Sequence, residues 1–119
     1  MDQTCFAFPV LPGKGEEARR FLQEVGRERR DDHFVAAGRV GLYRESWYLQ
    51  QTPRGEQLLG YFASWDLPRA LERLSHSGEA FHAWFARQLV EVTGIELVDW
   101  LSGPRSELLS RYDIQDYAV

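Results

Sequence analysis

Hydrophobic and polar positions alternate from Thr4 to Val10, with Thr4, Phe6, Phe8 and Val10 on one side and Cys5, Ala7 and Pro9 on the other. A period of two predicts a strand, with Pro9 near its end because proline brings no N–H to a ladder. Beyond the turn residues Leu11-Pro12-Gly13-Lys14-Gly15 the period lengthens. Ala18, Phe21, Leu22 and Val25 recur at i, i+3, i+4, i+7, the stripe of an amphipathic helix. The stripe runs on through Phe34, Ala37 and Val40 with Gly26 and Gly38 inside it, so one long helix that bends or frays is expected, capped near Gly41.

Two aromatic-rich runs, 43–51 and 57–65, flank Thr52-Pro53-Arg54-Gly55 and predict a β-hairpin. Pairing Thr52 with Glu56 around a three-residue loop sets Leu49 opposite Leu59, Trp47 opposite Tyr61, Glu45 opposite Ala63 and Tyr43 opposite Trp65, all on one face. The other face then carries Arg44, Ser46, Tyr48 and Gln50 against Leu58, Gly60, Phe62 and Ser64. Neither face is simply polar, so both are expected to be covered. Asp66 and Pro68 next mark a helix start, with Ala70, Leu71 and Leu74 as its apolar side. Ser75-His76-Ser77-Gly78 interrupts it, and Ser77 caps a second segment in which Phe81, Trp84, Phe85, Leu89 and Val92 keep helical spacing up to Gly94. Ile95 to Trp100 alternates like a strand. The remainder is expected to hold one short helix around 106–111 before an aromatic-acidic end.

The resulting order, β-α-β-β-α-β, is the split, ferredoxin-like arrangement: an α+β fold with a four-stranded antiparallel sheet and helices on one face. At 119 residues the chain reads as a single domain, 1–103, followed by an extension, 104–119, whose Leu108, Leu109, Tyr112, Ile114 and Tyr117 are too apolar for disorder. A sheet bare on one side predicts a homodimer. The net charge of −4 offers no footprint for nucleic acid, and the run Arg27-Glu28-Arg29-Arg30 is answered at once by Asp31-Asp32. One cysteine, no signal-like opening and no long apolar run predict a cytoplasmic chain that does not enter a membrane.

The runs G-L-Y-R-E-S-W-Y-L at 41–49, P-R-G at the turn, Y-F-A-S-W-D-L at 61–67 and F-H-A-W-F-A-R-Q at 81–88 resemble an uncharacterised-domain family of the dimeric α+β-barrel superfamily over roughly residues 4–100. The resemblance implies two ferredoxin-like subunits with their sheets face to face and a pocket between each sheet and its helices. Members include cofactor-free monooxygenases, haem-degrading enzymes and small-lactone isomerases. Their catalytic residues find no matching positions here, so those activities are not carried over.

Candidate chemistry is sparse. His33, His76 and His82 lack the spacing of a metal site, and no metal or other cofactor is expected. Cys5, in an apolar strand with no base beside it, reads as a small buried hydrophobe. No nucleophile elbow, P-loop or dinucleotide fingerprint occurs. His82 stands between Phe81 and Trp84 on a helix that should cover the pocket. Glu45 lies in mid-strand between Tyr43 and Trp47; it either reaches water or an arginine at the strand edge, or faces the pocket with its pKa lifted by desolvation. Two readings follow. In one, the chain is a small-molecule pocket protein, up to a cofactor-free enzyme, with Glu45 or His82 as acid/base and Tyr43, Trp47, Tyr61, Trp65 and Trp84 as ligand-binding walls. In the other, it is a non-enzymatic assembly or regulatory module.

Overall fold

The computed structural model describes residues 1–117, with the side chain of Tyr117 excepted. Strand β1 (Asp2–Pro9) leads into helices α1 (Gly15–Gly26) and α2 (Arg30–Val40). The hairpin β2 (Arg44–Thr52) and β3 (Gly55–Ser64) follows, then helices α3 (Leu67–Ser75), α4 (Ala80–Thr93) and α5 (Leu97–Leu101) and a 3-10 turn at Ile114–Tyr117. β3 is central in an antiparallel sheet of order β1-β3-β2.

Among the described residues this sheet has three strands, which corrects the four-stranded ferredoxin-like expectation and, with it, the architecture the family resemblance implied. The segment expected as the fourth strand is α5. Its alternation is equally a helical i, i+3, i+4 pattern: Leu97 and Leu101 are buried, and Trp100 is carried onto Phe8 with ring centroids 4.9 Å apart. In so short a run the two periods coincide, and contact with the core selects the helix. No helix forms at 106–111. There the chain passes edge strand β1, where the Ser106 hydroxyl donates to the Cys5 carbonyl and the Thr4 hydroxyl donates to the Ser106 carbonyl. Of the extension expected to be ordered, Ala118, Val119 and the Tyr117 side chain lie outside the described residues.

The hairpin register is also corrected. Thr52 pairs with Gly55 across a two-residue loop, so Trp47 lies opposite Gly60 and Glu45 opposite Phe62. The Thr52 hydroxyl accepts from the Arg54 N–H and donates to the Gly55 carbonyl, which ties the shorter loop shut. Packing gives the stronger reason. The Trp47 ring lies over Gly60 so closely that a Cβ there would stand 2.8 Å from a ring carbon, so the one residue of β3 able to sit under it is the glycine. A shift of one residue turns every side chain of β3 over. Leu58, Gly60 and Phe62 therefore join Phe6, Phe8, Trp47 and Leu49 beneath the helices, while Leu59, Tyr61 and Ala63 share the other face with Cys5, Arg44 and Tyr48. Cys5 is exposed there rather than buried.

The helices obey their local signals more closely. The Asp66 carboxylate accepts from the Arg69 N–H at the start of α3, and left-handed glycines, Gly41 (φ 88°) and Gly94 (φ 71°), end α2 and α4. The long first helix is two helices broken after Gly26. Arg29 binds Glu24 at 2.8 Å and lies 3.9 Å above the Trp84 ring, which fixes the angle of the break. Among the described residues no helix is long and apolar enough to cross a membrane.

Candidate functional site

The break after α1 rotates α2 so that its inward stripe is His33, Ala36, Ala37 and Val40, with Phe34 turned outward and 82% exposed. The sequence reading took Phe34 for the stripe and so missed His33. The signal was present, since position 33 is three, four and seven residues before Ala36, Ala37 and Val40.

His33 meets Glu45 on the core face of β2. Its Nε2 lies 3.0 Å from Glu45 Oε2, and the side chains are only 19% and 8% exposed. The geometry is that of an ion pair, off the line of a well-aligned hydrogen bond. The same oxygen accepts from Trp47 Nε1 at 2.8 Å. Facing a carboxylate, Nε2 must carry a proton. The imidazole stacks on the Phe81 ring, with centroids 5.1 Å apart and planes 19° from parallel. Burial disfavours a charged His33, but the Glu45 carboxylate outweighs it and raises the histidine's pKa above its ordinary 6.5. Glu45 is thus a paired carboxylate, which removes the isolated group among aromatic rings on which the expected desolvation rested.

His82, on α4, approaches Glu45 from behind. It is buried, its Nδ1 shares a short hydrogen bond with the Ser77 hydroxyl, and its Nε2 has no hydrogen-bond partner among the described residues. Ser77 also accepts from the Glu79 N–H, but it is not the expected cap: the N-cap of α4 is Glu79, with no side-chain cap. Burial pushes the His82 pKa down, against the pull of Glu45 and Glu79 and with the help of the nearby His33. Glu45, Trp47, Phe62, Phe81, Phe85 and His82 are among the residues enclosing a cavity of about 10 Å³. Such a volume holds about one water, and a polar wall of Nε2 and carboxylate suits one.

The open space lies on the other side of Glu45. A groove of about 530 Å³ runs between α2 and the first half of β2, with His33 and Glu45 in its lining beside Arg30, Phe34, Tyr43 and Arg44. Of the residues expected around a ligand, Glu45, His82 and Trp47 come together at the small cavity and Tyr43 lines the groove. The register sends Tyr61 and Trp65 away from Glu45. Tyr61 donates to Gln3 on the uncovered face, and Trp65 is 73% exposed against Tyr43. Trp84 packs on Phe21 and Phe81 beneath Arg29. No three of the described His, Cys, Asp and Glu residues are grouped to hold a metal ion.

Compared with known proteins, the chain matches no family model, no curated protein and no solved structure.

Proposed function

We propose that this chain is a small-molecule-binding protein whose groove between α2 and β2 brings a ligand against the His33–Glu45 pair, and that cofactor-free proton transfer is the chemistry this pair serves. The observation that carries the reading is a buried acid–base pair in the lining of an open groove of about 530 Å³, within the size range of small-molecule sites. Glu45 engages Nε2 and stabilises the imidazolium, which leaves Nδ1 as the ring nitrogen to exchange a proton with a ligand. His82 and Trp47 act through Glu45 as positioning residues. The test is a thermal-shift screen of small organic molecules against the wild type and His33→Gln. Ligands of the groove should raise the wild-type midpoint, with the rise cut or abolished in the variant relative to its own unliganded midpoint. Hits that shift both proteins equally would remove His33 from the site and the reading with it.

A second reading, a homodimeric assembly module, draws support from the sheet face opposite the helices. Tyr48 is exposed there, a surface that a second copy would cover.

A further inference from the structure

We propose that the groove selects a planar carboxylic acid, a specificity that rests on the groove being the ligand site. Its charge is the first reason. The chain carries a net −4, yet the groove lining holds Arg30, a histidine of raised proton affinity and, where the groove reaches the border of edge strand β2 and its other face, Arg44, against the single carboxylate of Glu45. Neither arginine side chain is engaged by an ion pair among the described residues, so both guanidinium groups are available to a ligand. Counting only the groups charged at any neutral pH, the lining holds two guanidinium groups to the one carboxylate of Glu45, and the fork of donors on a guanidinium fits a carboxylate. The groove is therefore locally cationic on an acidic protein, and a neutral or cationic ligand would leave that surplus unused.

The second reason is the shape of the rim. Phe34 and Tyr43, 82% and 62% exposed, stand in the same lining as the arginines. Aromatic faces left in water beside cations are suited to stack a flat conjugated body while its acid group meets the guanidinium groups. Glu45, already engaged by His33 and Trp47, repels a second carboxylate from the floor. The acid group belongs at the arginines, and the conjugated part extends toward His33.

Titrations of the full chain with trans-cinnamate, cinnamamide and acetate, followed by the NMR signals of His33 and Tyr43, test the inference. Cinnamate should saturate the shifts, with the amide and acetate each about tenfold weaker or more, the discrimination expected of a charge-assisted hydrogen bond and of a lost stacking surface. Arg44→Gln and Arg30→Gln should weaken cinnamate by a similar factor and leave the amide unchanged. Arg44→Lys keeps the charge without the fork, and serves if Arg44→Gln does not fold. Amide binding equal to cinnamate would overturn the acid selectivity while leaving the groove as a ligand site. Acetate equal to cinnamate would overturn the planar requirement. No shift at His33 or Tyr43 with any of the three at millimolar concentration would overturn both this inference and the groove as the site.

Discussion

Glu45 is flanked by two histidines that the fold drives in opposite directions, and their titrations bear on stability with opposite signs. His33 has a folded-state pKa above 6.5, so its contribution is complete below 6.5 and is lost as pH rises through the raised value. His82 has a folded-state pKa below 6.5, so its contribution is complete above 6.5 and is lost as pH falls through the lowered value. These two groups together favour a stability maximum near 6.5. Urea midpoints measured across that range should show the decline on both sides. His33→Gln should remove the alkaline decline and His82→Gln the acid one; a flat profile for the wild type would contradict both assignments. Glu45→Gln keeps an acceptor for Trp47 Nε1 but takes away the charge. NMR titration of that variant should find His33 below 6.5, because only burial then acts on it. Glu45 was noticeable in the sequence as a carboxylate in mid-strand among aromatic residues. Its contact with His33 was not, because although the spacing of His33 to Ala36, Ala37 and Val40 was there to read, the meeting with Glu45 depends on where a helix breaks, and Arg29, bound to Glu24 and lying over Trp84, holds that break.

At the scale of elements, the glycine under Trp47 decides which way β3 faces. Gly60→Ala adds the Cβ that would sit 2.8 Å from the Trp47 ring, and overpacking of this kind typically destabilises by about 1–3 kcal/mol. Alanine in a strand would otherwise be favoured over glycine, so a loss of stability isolates the contact. In a double-mutant cycle, Trp47→Phe should recover part of the loss; a Gly60→Ala protein as stable as the wild type would place Trp47 elsewhere. The hairpin itself was legible from its two aromatic runs and the Pro-Arg-Gly turn, the start of α3 from Asp66 and the end of α4 from Gly94. The register was not, because turn residues alone admit loops of two or three residues and only the pairing of the largest side chain with the smallest separates them. The fate of Ile95–Trp100 was hidden for a related reason. Leu97, Trp100 and Leu101 satisfy a helix, Ile95, Leu97 and Asp99 a strand, and the choice is made by Phe8, some ninety positions earlier.

For the molecule as a whole, helices cover one side of the sheet and leave Tyr48 exposed on the other. If a second copy covers that side, light scattering at micromolar concentration should give a dimer mass, and Tyr48→Asp should move it toward monomer. A wild-type monomer mass would remove the assembly reading without touching the groove. The topology of β1 has another consequence, in time rather than space. Asp2 lies opposite Ser64 and Pro9 opposite Gln57, so among the described residues β1 pairs only with the last-made strand of its sheet. At a synthesis rate of about 5–20 residues per second, roughly fifty to sixty residues separate the two by about 3–12 s, whereas a β-hairpin closes in about 1–10 μs. Phe6 and Phe8, buried in the finished sheet, must wait in water on the ribosome for a β2–β3 hairpin that assembles almost as soon as it emerges. The order of birth and the order of assembly of this sheet are therefore reversed, and the interval between them is when the nascent chain is most exposed to pairing with the wrong strand.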